Sequence, residues 1–318
     1  MRPDLITIDG SLGEGGGQIL RTSLALSCIT GTPFEIRNIR ANRDKPGLRP
    51  QHLQCVNAAG QIADARVTGA EIGSTHVTFA PNAIRPGDYS FDIGTAGAAS
   101  LVFQTVVYPL ALAASPSSLA VSGGTHVPFA PCFHYLALQW LPFMAQLGFR
   151  ISLKMRRAGY YPEGGGRISA HIQPRSAQSP LCIEAPGPVQ RVSVLSASSN
   201  LPSHVAERQA HRAEKLLTQH RLPMHVTTED LPARGKGSVL CLTATCRDSQ
   251  ACYAALGARG KRAERVADEA CTELTRFLET GAAVDRFLAD QLLIPLALGP
   301  GRSTVVTESV TQHLLTNA

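Results

Sequence analysis

Four stretches of this chain carry residue types and spacings suited to phosphate chemistry. Gly13-Glu14-Gly15-Gly16-Gly17-Gln18-Ile19 leads straight into Leu20-Arg21-Thr22-Ser23-Leu24-Ala25-Leu26, whose apolar residues are spaced for a buried helix face. Three consecutive glycines strip every Cβ from the backbone ahead of that helix, so amide groups at its start can meet an anion directly. Glu14, set between glycines, reads either as a hard ligand for Mg²⁺ held mainly by substrate phosphates or as a carboxylate capping the helix. From Arg37 to Arg49 five of thirteen residues are basic (Arg37, Arg40, Arg43, Lys45, Arg49), and Asp44 is the only acid. Alone such a stretch is a solvated loop; next to a glycine-rich helix start, its guanidinium forks suit phosphate oxygens. Gly94-Thr95-Ala96-Gly97 offers a further helix-start anion site, with Gln104 deeper in the same helix. Near the end, Thr311-Gln312-His313-Leu314-Leu315-Thr316-Asn317 follows a strand-like run. An imidazole at a strand end can face a cleft, and in its neutral form it attacks phosphorus to give a reactive phosphoramidate.

The familiar phosphate-handling signatures are absent. No G-x-x-x-x-G-K-[ST] occurs, because Asp230 stands where Gly235-Lys236-Gly237-Ser238 would need its upstream glycine. H-E-x-x-H and the K-x-[DN]-G of ATP-dependent ligases are missing too, so any covalent nucleotidyl transfer would not use a standard ligase lysine. The eight cysteines are scattered without a C-x-x-C pair, and the trio Cys241, Cys246, Cys252 matches no common zinc spacing. They read as reduced, mostly buried thiols, and no zinc site is expected.

The elements that must position these groups follow from pattern. At 318 residues, 44% hydrophobic and 17% charged, the chain can bury a large core and fill two domains. A net charge of +6 is modest support for a polyanionic partner. Leu5 to Ile8, Phe34 to Ile39, Glu71 to Phe79, Ser118 to Ser122 and Phe149 to Leu153 read as strands, with helices near 18–30, 49–63, 96–114 and 132–147. The uncharged stretch Ala96 to Ala114 reads as a buried core helix rather than a membrane span. After Pro180 the texture changes at Ala185-Pro186-Gly187-Pro188, and a new unit begins: a strand from Arg191, a helix from Ser203 to His220, then strands near 224–229 and 237–246. Helical texture resumes from Lys261 and again from Asp285 to Leu298, and Arg302 to Glu308 is a last strand candidate. Met1-Arg2-Pro3-Asp4-Leu5 lacks the apolar core of a signal peptide, which points to the cytoplasm. Two segments recur. The glycine cluster returns as Pro162-Glu163-Gly164-Gly165-Gly166-Arg167-Ile168, and Gly73-Ser74-Thr75-His76-Val77-Thr78-Phe79-Ala80-Pro81 returns as Gly123-Gly124-Thr125-His126-Val127-Pro128-Phe129-Ala130-Pro131. Related modules packing together are the natural inference. The second glycine cluster, lacking a counterpart of Gln18 and a following basic loop, reads as a structural remnant of that repeat.

Together, Asp9-Gly10-Ser11-Leu12-Gly13-Glu14-Gly15-Gly16-Gly17-Gln18-Ile19-Leu20-Arg21, Arg49-Pro50-Gln51-His52-Leu53, Asp92-Ile93-Gly94-Thr95-Ala96-Gly97, Gly123-Gly124-Thr125-His126 and His313-Leu314-Leu315-Thr316-Asn317 closely resemble the RNA 3′-terminal phosphate cyclases, in order and over essentially the whole chain. The resemblance implies an α+β fold. A large domain of three βαβαββ modules, akin to the C-terminal domain of initiation factor 3 and to enolpyruvyl transferases, would span 1–183 and 280–318; a small inserted α/β domain would span 184–279. It implies ATP-dependent conversion of an RNA 3′-phosphate to a 2′,3′-cyclic phosphodiester, with Mg²⁺ or another divalent cation, by a ligase acting as monomer or dimer. His313 would be the nucleophile that accepts AMP, and Glu14 the metal ligand. Gln104, Asp290, Gln291 and Pro131 would line the nucleotide pocket. Arg21, Arg40, Arg43, Gln51 and His52 would surround the phosphates or the RNA end, with little base readout. Family members run on past the position of Ala318. Two other readings stay open: a cyclase-like ribosome-assembly protein that keeps the fold without the chemistry, against which His313 with Glu14 and Arg21 argues, and an enolpyruvyl-transferase-like enzyme, which leaves the terminal histidine motif unexplained.

Overall fold

The structure, a computed structural model, describes residues 5–176 and 178–318. Met1–Asp4, most of the segment read above for a leader, lies outside the described residues.

Two four-stranded sheets share one topology. The first is built from β1 (Ile6–Asp9), β2 (Phe34–Arg37), β3 (Arg66–Thr68) and β4 (Val77–Ala80) in the order β1-β2-β4-β3. The second uses β5 (Asp88–Asp92), β6 (Ser117–Gly123), β7 (Ile151–Arg157) and β8 (Gly166–Ile172) in the order β5-β6-β8-β7. In each, the first two strands are parallel and the remaining pairings antiparallel. A parallel pair needs a crossover, and helices supply it. In the first sheet these are α1 (Gln18–Thr30) after β1 and α2 (Pro50–Ile62) after β2. In the second, α3 (Ala99–Ala111) follows β5, and α4 (Phe133–Tyr135), a π turn at Leu136–Trp140 and α5 (Leu141–Gln146) follow β6. Both sheets and all these helices enclose one apolar core that includes Leu20, Leu24, Phe79, Phe103, Trp140 and Phe149. The uncharged stretch is the central helix of that core, α3, nearly every side chain of which is buried. Among the described residues no helix is long and apolar enough to cross a membrane.

The sequence echoes do not mark equivalent positions of this repeat. Gly13–Ile19 joins β1 to α1, whereas Pro162–Ile168 forms the turn between β7 and β8 and the start of β8. The topological counterpart of the first cluster is the β5–α3 connection at Gly94–Gly97, so the second cluster is a hairpin turn and not a remnant of the helix-start loop. The other echo splits likewise, one copy entering β4 and the other leaving β6. Each string meets a local turn requirement that recurs at unrelated places.

The strand expected over Glu71–Phe79 begins only at Val77. The residues before it have another task. Leu48 N–H donates to Ser74 O at 2.9 Å, Gly73 N–H to Leu48 O at 2.8 Å and Ile39 N–H to Thr75 O at 3.0 Å. These bonds buttress the basic loop, whose ends are pinned by the buried side chains of Ile39 and Leu48.

A third sheet takes β10 (Val189–Ser199), β11 (Met224–Asp230), β12 (Gly237–Cys246) and β13 (Gln250–Leu256) in the order β11-β10-β12-β13. The short parallel pair β9 (Cys182–Ile183) and β14 (Thr304–Val305) joins the segment where the chain leaves the main body to its C-terminal part. With α6 (His204–Leu217) and α7 (Ala263–Thr280), the third sheet has a core of its own around Val194, Leu242, Tyr253 and Phe277. The chain then returns through α8 (Arg286–Gln291) and α9 (Leu293–Ala297) and ends in α10 (Gln312–Asn317).

One fully buried carboxylate ties these parts together. Asp285 caps α8, accepting from Leu288 N–H at 2.9 Å and Phe287 N–H at 3.1 Å, and it accepts from Tyr135 Oη and Gln139 Nε2 at 2.7 Å each. Cys252 N–H of β13 lies 3.5 Å away. Burial lifts the Asp285 pKa to about 6, despite these donors. Asp285→Ala should remove the acceptor shared by Tyr135, Gln139 and the first amides of α8 and lower unfolding stability by about 3 kcal/mol. A urea-unfolding midpoint equal to that of the parent would contradict this role.

Candidate active site

A cavity of about 1210 Å³ opens between the first sheet's loops, α3, α8 and α10. Every site residue that the family resemblance implied lines it: Glu14, Arg21, Arg40, Arg43, Gln51, His52, Gln104, Pro131, Asp290, Gln291 and His313. These residues lie far apart in sequence, and the fold alone brings them together.

The glycine loop owes its composition to what packs on it. A Cβ on Gly13, which sits at φ +56°, would fall 2.3 Å from Thr316 Oγ1, and one on Gly17 would fall 2.2 Å from His52 Nε2. The space is thus taken by α10 on one side and α2 on the other. Thr316 Oγ1 accepts from Glu14 N–H at 3.2 Å, and Thr22 Oγ1 donates to Asn317 Oδ1 at 2.7 Å, which latches α10 to α1. Thr311 caps α10 by accepting from Leu314 N–H at 3.1 Å. His313 therefore stands in the first turn of a helix, not at a strand end as its flanking pattern suggested. The strand-like run is only the two-residue β14, and it ends well before the histidine.

His313 Nε2 lies 2.9 Å from Glu14 Oε2, and Arg43 grips the other oxygen, Glu14 Oε1. Burial first, then the Arg21 and Arg43 cations, hold the His313 pKa below its usual value. The imidazole is consequently neutral near pH 7, the state in which a ring nitrogen has a lone pair to give. Glu14 Oε2 is buried without an aligned hydrogen bond. Such an orphaned carboxylate oxygen fits a divalent cation whose remaining ligands are phosphate oxygens and water. Among the described residues no group of three or more potential protein ligands surrounds it.

The cations divide by what already occupies them. Arg40, at φ +57°, gives Nη1 to Lys45 O at 2.6 Å and Gly47 O at 2.9 Å, so it shapes the basic loop as well as facing the cavity. Arg21 is different. Among the described residues no carboxylate pairs with it within 4.0 Å, although Asp290 is near enough to offset part of the burial that lowers its pKa. An unmatched guanidinium facing a cavity is a site for a mobile anion. α1 begins beside it at Gly17 with no side-chain cap, leaving its first amides free.

One expectation needs correction. The α3 start is not an anion site: Gln51 Oε1 takes Ala98 N–H at 2.9 Å, Gly124 O takes Ala99 N–H at 2.8 Å, and Gly94–Gly97 do not line the cavity. Gln51 is thereby engaged in holding that loop. His52 lines the cavity as a neutral ring. Burial, then Arg21, Arg40 and Arg49, push its pKa down to about 3.

On the far wall, Gln104 Nε2 donates to Gln291 Oε1 at 2.7 Å and Gln18 Nε2 to Asp290 Oδ2 at 3.1 Å. Burial raises the Asp290 pKa to about 6. Sequence reasoning did not single out Thr311, Thr316 or Asp285, because a capping or latching side chain has no signature apart from the neighbour it holds.

A sequence model described as RNA 3′-terminal phosphate cyclase matches residues 12–318. The chain belongs to the RNA 3′-terminal phosphate cyclase family. It is 44% identical over 317 residues to the RNA 3′-terminal phosphate cyclase of Ectopseudomonas mendocina, covering 100% of this chain and 92% of the relative. It is 44% identical over 314 residues to that of Archaeoglobus fulgidus, covering 99% and 94%. With that of Pyrococcus furiosus it shares 42% over 313 residues, covering 98% and 91%. Full-length agreement with both bacterial and archaeal cyclases means that the loops framing the cavity and the terminal helix are all within the matched region.

The charge arrangement gives a sign to test. Removing a nearby cation makes protonation easier, so Arg43→Gln should raise the His313 midpoint, which in the parent should titrate below 6.5 when followed by NMR. A parent midpoint at or above 6.5, or a downward move in the variant, would contradict the arrangement.

Proposed function

We propose that this chain converts an RNA 3′-terminal phosphate to a 2′,3′-cyclic phosphodiester at the expense of ATP, through AMP carried on His313. The observation that carries this reading is His313 held 2.9 Å from the Glu14 carboxylate, with Arg21, which has no carboxylate partner among the described residues, in the same cavity, one large enough for a nucleotide and an RNA end.

A phosphate monoester dianion is a poor electrophile, and adenylation supplies the leaving group it lacks. A His313 ring nitrogen attacks the α-phosphorus of ATP, a P–N bond forms, and the P–O bond to pyrophosphate breaks with its electron pair. An oxygen of the RNA 3′-phosphate then attacks the same phosphorus, and the histidine leaves with the P–N electrons. Finally the vicinal 2′-OH attacks the RNA phosphorus, loses its proton, and expels AMP. At each stage positioning and neutralisation of phosphate charge supply most of the acceleration. Arg21 and the free amides at the start of α1 face the charge that develops, and Arg43 orients Glu14. A divalent cation at Glu14 would neutralise triphosphate charge and favour pyrophosphate as a leaving group. Gln104, Asp290, Gln291 and Pro131 form the wall that suits the nucleoside, while Arg40 and Gln51 shape the opposite loops.

The domain division follows the same reading. Residues 1–183 and 280–318 would form the catalytic body, its third module assembled from β9, α8, α9, β14 and α10, and 184–279 the insert. The separate cores of the two parts support this division.

Incubation with α-labelled ATP and Mg²⁺ should give an acid-labile, alkali-stable protein adduct that His313→Ala abolishes. Arg21→Ala should slow its formation by on the order of 10²-fold, the cost of losing one preorganised charge at a developing oxyanion. Label persisting in His313→Ala would overturn the nucleophile assignment.

A further inference from the structure

The motif Gly123-Gly124-Thr125-His126 has no part in the chemistry above, yet it is among the best-packed features of the molecule. Thr125, His126 and His134 are all buried. Thr125 Oγ1 meets His126 Nδ1 at 2.8 Å and accepts from Gly159 N–H at 2.9 Å, and His126 Nε2 meets His134 Nδ1 at 2.8 Å. Phe133 N–H donates to Thr125 O at 2.9 Å, which closes the loop between them at its neck. Burial drives both histidines below their usual pKa, so the closure holds without charge through the neutral range.

At the tip of that clamped loop stands Phe129. Its φ is +62°, a region unfavourable to any residue with a Cβ, and its relative exposure is 104%, the highest among the large hydrophobic side chains of the described residues. Strain and full exposure of a large apolar ring persist only where the surrounding structure imposes them. Here the neck imposes them, and the ring it displays lines the cavity that holds His313. Around the same cavity lie Arg21, Arg40, Arg43, Lys45, Arg49 and Arg286 against Glu14, Asp44 and Asp290, a balance suited to a polyanion.

We propose that Phe129 is a stacking platform for a nucleobase in the last two nucleotides of the RNA substrate. The inference rests on the RNA-end reading above and extends it to the strand behind the phosphate. Stacking on an open aromatic face is indifferent to base identity, so it adds affinity without sequence preference. A ring open to solvent suits a chain that continues outward better than the base of an enclosed mononucleotide. The buried Thr125–His126–His134 network acts as a positioning device for this ring.

The test pairs Phe129→Ala with 3′-phosphorylated oligoribonucleotides that are intact or lack one base at the last or the penultimate position. Phe129→Ala should raise KM for cyclisation of the intact RNA about 10-fold, within the range of one base–aromatic stack, and leave labelling of the protein by ATP alone unchanged. For the parent, one of the two abasic RNAs should show the same loss, and Phe129→Ala should add nothing to it. Phe129→Tyr should restore the parent KM. Binding of the same oligonucleotides without ATP should follow the same pattern, so the platform is read even if no cyclic phosphate forms. Equal losses on intact and both abasic RNAs would overturn the proposal. So would a defect in ATP labelling, which would assign the ring to the nucleotide.

Discussion

The approach of α10 to a backbone without side chains is the constraint on which the site depends. His313 reaches Glu14 because Thr316 and Asn317 dock where Gly13 has no Cβ and α1 offers Thr22. From the other side His52 occupies the space above Gly17. The glycine loop is thus a spacer between two helices as much as a binder of anions. That explains why an ordinary acidic residue sits in its midst: Glu14 is fixed by its neighbours' contacts, and its free oxygen is left facing the histidine.

Much of this was legible from residue type. The helix over 18–30, the buried character of the uncharged stretch and the strand over 237–246 followed from period and polarity, because in each case the apolar face is also the packed face. Every residue that the family likeness implied lines one cavity. What stayed hidden depended on long-range partners. Short strands such as β3 and β5 carry too few residues to show an alternation, and β5 begins and ends on aspartates. Glu71–Thr75 has strand-like composition, but its backbone is spent on the basic loop. His313 looked like a strand-end residue until Thr311 and Leu314 were seen to close a helical turn around it.

The repeats teach a related lesson. Two sheets have the same order and handedness of pairing, yet the strings that echo each other fall at different corners of them. Topology was retained where packing requires it, while short glycine strings recur wherever a turn must be tight. The counterpart of the glycine loop in the second sheet gives Ala98 N–H and Ala99 N–H to Gln51 and Gly124, whereas α1 begins without a side-chain cap. The fully buried Asp285 then aligns α8, and with it Asp290 and Gln291, against that start.

The proposed function stands on transfer of AMP from His313 to an RNA phosphate. A chase measures it directly: protein carrying labelled AMP is isolated free of ATP and mixed with RNA ending either in a 3′-phosphate or in a 3′-hydroxyl. Label should leave the protein as AMP only with the 3′-phosphate, and each turnover should produce one 2′,3′-cyclic end. Discharge by the 3′-hydroxyl RNA at a comparable rate, or loss of label without a cyclic end, would contradict it.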